Sequence, residues 1–221
     1  MKEVLIISAH ADDETFGMGA TLLKLAKSKE YQISWLICTT IWEPKWNKQA
    51  IQSRINAIDS LNKVIGFKEI IQWKYKDNCL DLVPINELQD KMIQVIEKIK
   101  PQIIFTPSAW DFNFEHKIVF DIVEMSTKQY YSHYIEEIFS YEIPSSTDAS
   151  FDVNNNFIFN TYYDIEDCLE EKLMLLHFYD TELHQAPHPR SSEYVKSLAV
   201  KRGGECGCHF AEGFHLLRMI R

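Results

Sequence analysis

The chain has 221 residues, 46% of them hydrophobic and 25% charged, enough to bury a substantial core. Its formal net charge of −9 argues against a nucleic-acid-binding surface, so an anionic ligand would need specific Arg or Lys contacts. Five cysteines, at positions 38, 79, 168, 206 and 208, form no disulfide-like framework, and the short apolar segment Val4 to Ala9 is neither a secretory core nor a membrane span; the expected location is the cytoplasm.

The first apolar run, Glu3 to Ser8, reads as a strand that stops abruptly before His10 and is followed at once by Asp12, Asp13 and Glu14. Three carboxylates this close repel one another unless a cation, a basic group or proton uptake offsets the charge. Acids at the start of the next helix, roughly Gly17 to Ser28, would also serve as caps, worth about 0.3–1 kcal/mol each. A cap has no need of an imidazole, whereas zinc accepts His nitrogen and Asp oxygen readily. The turn is therefore read as a metal site. Gly17-Met-Gly19 lacks the third glycine of a dinucleotide-binding loop, and the acidic turn would repel a pyrophosphate.

Further strands at Ile33 to Thr39, Lys68 to Trp73 and Gln102 to Thr106 alternate with helical segments at Lys48 to Val64 and Ile85 to Lys100. In the latter, Leu88, Met92, Val95, Ile96 and Ile99 form one apolar stripe; Gly66 ends one helix and Pro101 stops the other. The alternation predicts an α/β fold, a Rossmann-like, mostly parallel sheet flanked by helices, as a single domain over residues 1–221. The C-terminal portion is less regular. Strands are expected at Ile135 to Tyr141 and Asn156 to Asn160, a helix at Asp164 to Phe178, and between the strands an exposed polar loop, Pro144 to Asn155, with a lid as one use.

In parallel sheets ligands gather at the carboxyl ends of the strands, so the segment after Thr106 should face the His10 turn, bringing Asp111, Asn113, Glu115 and His116. A catalytic zinc takes three protein ligands and keeps one position open; His10, Asp13 and His116 fill that role and leave Asp12 as a base. His133, His177 and His215 read as surface or core residues, and His184, His188 and His209 as substrate contacts. Cys206-Gly-Cys208-His209 has no partner pair at finger spacing and is not read as a zinc site.

Ala9-His-Ala-Asp-Asp-Glu14 resembles the first-strand signature of the PIG-L/LmbE-like family of metal-dependent N-acetylglucosamine deacetylases, with Ala11 in place of the usual proline. Arg54 with Leu61 and Ile65-Gly66, Tyr75 to Leu80, Pro101 to Pro107, His188-Pro-Arg-Ser191, Arg202-Gly-Gly204 and Phe210-Ala-Glu-Gly-Phe214 are similar to further elements of that family. The resemblance implies zinc, with iron or manganese as alternatives, held by His10, Asp13 and His116, with Asp12 as general base. It also implies hydrolysis of the acetamide of an N-acetylglucosamine-type sugar to amine and acetate. Asn113 stands where many members have a histidine, and Phe210 where they have a tyrosine. Asn113 can donate to an oxyanion but cannot deliver a proton, so the general acid stays open between His188, His184 and a recycled Asp12. Arg54 and Arg190, with His188, are the expected substrate-binding residues, and Trp42, Trp46 or Trp110 the aromatics that could stack on a sugar. An amidase for another acyl group and an impaired sugar-binding protein are the competing readings. The expected partner is a small amino sugar, with no nucleic acid and no membrane span; a homo-oligomer stays open.

Overall fold

The computed structural model describes residues 1–151 and 157–221. β1 (Lys2–Ser8), α1 (Asp13–Ser28), β2 (Tyr31–Thr40), α2 (Lys48–Ile65), β3 (Glu69–Lys76), α3 (Ile85–Ile99), β4 (Ile103–Thr106), α4 (Phe114–Ser126) and β5 (Glu137–Tyr141) alternate along the chain. They are followed by β6 (Thr161–Asp164), α5 (Leu169–Leu176), α6 (Ser192–Cys206) and β7 (Ala211–Met219). β1 is buried at every position from Val4 to Ser8. A strand covered on both faces needs apolar residues throughout, which is why it reads as an unbroken run.

The sheet order is β3-β2-β1-β4-β5-β7-β6. β1 to β5 are parallel, and β7 runs antiparallel to both β5 and β6. The order reverses at β1, with β2 on one side and β4 on the other, so a crevice is expected beyond the carboxyl ends of β1 and β4. One face of the sheet packs Val4, Ile6, Trp35 and Phe105 under α1, α2 and α5. The other packs Leu5, Ile7, Leu36 and Ile104 against the stripes of α3 and α4. Each such side chain contributes about 1.5–3 kcal/mol by leaving water.

The punctuation read from the sequence is present. Gly66 caps α2 at φ +71° with its N–H on Asn62 O, and α3 ends at Lys100, just before Pro101. The C-terminal portion differs from expectation in three places. The strand expected at Asn156 to Asn160 lies at Thr161–Asp164 instead; Asn156 is outside the described residues, and Phe157 and Phe159 pack ring to ring at 4.5 Å, so their alternation reflects local side-chain packing. The expected helix from Asp164 begins only at Leu169, after a 3-10 turn at Glu166–Cys168. α6 and β7 lie beyond Phe178, where the sequence reading assigns no bounded helix or strand. The buried positions of α6 are Val195, Ala199, Arg202 and Gly203, too few large apolar groups to give a helical period, and Gly203-Gly204 reads as a breaker. Of the polar loop, residues 152–155 lie outside the described residues; Thr147–Ala149 forms a 3-10 turn.

α1 is kinked at Met18 (φ −138°, ψ 24°). The backbone groups freed by the kink are met from distant elements. Glu212 of β7 accepts from Ala20 N (3.1 Å) and Thr21 N (2.7 Å), while Lys172 of α5 donates to Phe16 O (2.9 Å) and to Glu212 (2.6 Å). Just before the kink, a Cβ on Gly17 would lie 2.5 Å from Glu142 O and 2.6 Å from the Tyr141 ring. Glycine lets the first turn of α1 sit directly against the end of β5.

Candidate metal centre

His10 follows β1, Asp13 opens α1, and His116 lies in the first turn of α4, which starts beyond the end of β4. The switch-point crevice brings the three together: one ligand atom from each lies within 4.8 Å of the others. His10 Nδ1 faces His116 Nε2 at 3.2 Å, and Asp13 Oδ1 lies 3.3 Å from His116 Nε2. Asp13 Oδ2 accepts from His10 N at 2.8 Å, which fixes the carboxylate, while Oδ1 is buried without a hydrogen-bond partner among the described residues. Two ring nitrogens turned toward each other beside an unpartnered buried carboxylate oxygen form a donor set that fits a divalent cation.

The outer nitrogen of each imidazole meets a carboxylate. His10 Nε2 lies 2.7 Å from Glu115 Oε2, and His116 Nδ1 lies 3.0 Å from Asp111 Oδ2. These acids are themselves held: Glu115 Oε1 accepts from Cys79 N and Leu80 N, and Asp111 from Asn113 N and Thr147 Oγ1. Such outer partners orient ligating histidines and raise their basicity. Sequence reading placed Asp111 and Glu115 at this edge without giving them a role; the spacing Asp-x-x-x-Glu-His was the available signal.

Burial opposes charge on both imidazoles, but the carboxylates around them prevail, raising His10 to about 10 and His116 to about 9. Burial likewise opposes the charge on Asp13, and the two histidines outweigh it, holding Asp13 well below the usual carboxylate range. Glu14 differs from its neighbours. Burial pushes it up to about 8, so it carries its proton at neutral pH, among Ser8, Thr15 and Tyr179. The acidic triplet thus relieves its repulsion through Glu14. Asp12, although it occupies the helix N-cap position, makes no side-chain cap bond.

A cleft of about 170 Å³ opens beside the cluster, bounded by His10, Asp12, Trp46, Asp77, Asn113 and Arg190. Asp12 Oδ2 accepts from Arg190 Nη1 at 2.8 Å, while its Oδ1, 4.0 Å from Arg54 Nη1, accepts no hydrogen bond among the described residues. Arg190 also reaches Glu182 and Ser145, and Glu182 accepts from Arg54 Nη2 at 2.6 Å. Arg54 Nη1 donates to Ala11 O, so this buried arginine braces the His10–Asp13 turn. Glu182, which joins the two arginines, was not found by sequence reading; it lies in an irregular segment that carries no motif.

Asn113 caps α4, its Oδ1 accepting from Glu115 N, and its Nδ2 has no partner among the described residues. Trp46 lines the cleft, Trp42 packs under Lys76, and Trp110 stacks on His215 at 5.0 Å. His188 is exposed, its ring tilted 45° to that of His184 with centroids 4.1 Å apart, and its Nδ1 accepts from Arg190 N. His209 lies in the turn between α6 and β7, against Gly203. Among the described residues, Cys206, Cys208 and His209 form no metal-ligating group, and no helix is long and apolar enough to cross a membrane.

The profile of the PIG-L family, described as GlcNAc-PI de-N-acetylase, matches residues 5–126, more than half of the chain. A diacetylchitobiose deacetylase from Thermococcus kodakarensis is 23% identical over 98% of this chain and 84% of its own length. The structure of an N,N'-diacetylchitobiose deacetylase from Pyrococcus horikoshii superposes with a TM-score of 0.74 at 20% identity, covering 98% of this chain and 84% of the other. That of a 4-carboxy-2-hydroxymuconate hydratase from Pseudomonas putida superposes with a TM-score of 0.76 at 15% identity, over 100% and 98%. The structural likenesses carry the fold and leave the reaction to the site.

Proposed function

The chain belongs to the PIG-L family, and from that premise we propose that it is a metal-dependent N-deacetylase releasing acetate from an N-acetylglucosamine-type sugar or sugar conjugate. The observation that carries the reading is the convergence of His10, Asp13 and His116 beside the carboxylate of Asp12. A divalent cation held by those three residues, zinc in the first instance, supplies the Lewis acidity that activates water and polarises an amide carbonyl.

The protein's own groups do the rest. Asp12 Oδ1, which accepts no hydrogen bond among the described residues, takes the proton of the attacking water, while Oδ2 is held by Arg190. Asn113 Nδ2, with its Oδ1 fixed by the cap of α4, donates toward the oxyanion that forms as water adds to the carbonyl. The proton on Asp12 then passes to the leaving amine; His188 and His184 are the alternative donors. Arg190 Nη2 and His188 Nε2 are available to a substrate hydroxyl, and Arg54 acts by holding the turn that carries Asp12. The relatives that deacetylate diacetylchitobiose make N-acetylated chito-oligosaccharides the first substrates to try.

The test is acetate release from a panel of N-acetylglucosamine compounds by the metal-reconstituted protein. Release is expected, reduced by at least about 10²-fold in Asp12→Ala. A protein that binds metal yet releases no acetate from any member would sink the deacetylase reading. Because a hydratase shares the fold, hydration of an unsaturated tricarboxylate such as 4-carboxy-2-hydroxymuconate should be assayed in the same preparation.

A further inference from the structure

A cavity of about 230 Å³ lies between α4 and the strands β5 and β7, apart from the metal cluster. Phe120 and Val123 of α4, Ile138 of β5 and Leu217 of β7 form its apolar walls, and Glu124 stands at its exposed rim. Apolar walls alone would be a packing gap. Two polar groups make it more than that. Arg218 donates through Nη1 to Thr127 O at 2.7 Å, but its Nε and Nη2 are buried without a hydrogen-bond partner among the described residues. Thr106 is fully buried, and its Oγ1 is also unpartnered.

Arg218 as a whole is only partly buried, but two of its guanidinium nitrogens are shut from water with neither a hydrogen bond nor a counter-charge among the described residues, which is unfavourable. Burial lowers the pKa of Arg218, with no carboxylate offsetting it. The vacant side of the group is the Nε–Nη2 edge, whose two parallel donors match the two oxygens of a carboxylate. A small inorganic anion would satisfy the edge and leave the apolar walls wet. A dianion would bring one charge more than the single cation can meet. The volume is below the roughly 300–1,000 Å³ of drug-sized ligand sites, so the occupant is small.

We propose that this cavity is a second ligand site, for a medium-chain or aryl-alkyl monocarboxylate whose carboxylate docks on the Nε–Nη2 edge of Arg218 and the hydroxyl of Thr106. Its hydrocarbon part fills the space between Val123 and Leu217. The proposal is independent of the reaction at the metal centre.

Isothermal titration of the metal-loaded protein with acetate, hexanoate, octanoate and octanol tests it. Saturable binding is expected to strengthen from acetate to octanoate, to be at least tenfold weaker for octanol, and to weaken at least tenfold in Arg218→Met. Val123→Phe, which fills the cavity and keeps the guanidinium, should also weaken it, so the proposal stays testable if Arg218→Met fails to fold. A His10→Gln/His116→Gln double variant should bind octanoate like the unaltered protein. Octanoate binding that survives both cavity variants, is lost in the histidine variant, or is no tighter than that of acetate overturns the site, as does no saturable binding at all.

Discussion

Two imidazoles whose nitrogens face each other at 3.2 Å amid Asp13, Glu115 and Asp111 form a cluster that demands positive charge. Without metal that charge is protons, since His10 is raised to about 10 and His116 to about 9. A cation must displace them, so metal affinity should rise with pH through neutrality, and uptake near pH 7 should release roughly one to two protons. Titration in two buffers of different ionisation enthalpy counts them; a pH-independent affinity without release would contradict the assignment. Asn113 poses a different question, because it both caps α4 and faces the cleft. Serine caps about as well but lacks the amide donor. Asn113→Ser should therefore keep stability within about 0.5 kcal/mol while kcat falls about 10²–10³-fold. An unchanged kcat would leave the residue a cap only.

At the scale of elements, the start of α1, which carries Asp13, packs at Gly17 against the end of β5, and the Lys172–Glu212 pair holds the kink that follows. Both side chains are about 95% buried. Removing one partner leaves the other charge uncompensated, so Glu212→Ala should cost about 3–5 kcal/mol, read as a lower denaturant midpoint at unchanged slope. A loss under 1 kcal/mol would show that the kink is held otherwise. This device also marks the limit of what the sequence reveals. β1, its acidic turn and the stripe of α3 are legible because hydrophobic period and turn chemistry are local. His116 could be picked out because a topological rule places the end of β4 beside that of β1. Glu182 lies in a stretch without a motif, and Glu212, although inside the Phe210 to Phe214 element, received no role, since the partners that give these two acids their roles lie 128 and 192 residues away. α6 escaped for a different reason, its buried stripe being small and interrupted by glycine.

Across the whole molecule, the proposed metal site ties together segments that the sheet brings close only through β1 and β4. His10 and Asp13 come from the start of the chain and His116 from its middle, joined through the parallel pairing of Val4 to Ile6 with Ile103 to Phe105. An unfolded chain holds no such constellation, so a cation that binds the native state shifts the folding equilibrium toward it. At a free metal concentration one hundred times its Kd the gain is about 2.7 kcal/mol. For a protein of this size each kcal/mol moves the melting temperature by about 2–4 °C, so chelation should lower Tm by about 5–10 °C and re-addition of zinc should restore it. His116→Gln removes one ligand and leaves a side chain of similar reach, and it should erase most of the difference between chelated and reloaded protein. If chelation leaves Tm unmoved in the unaltered protein, or if His116→Gln responds to zinc as fully as the parent does, the cation sits elsewhere and the three residues gather for another purpose.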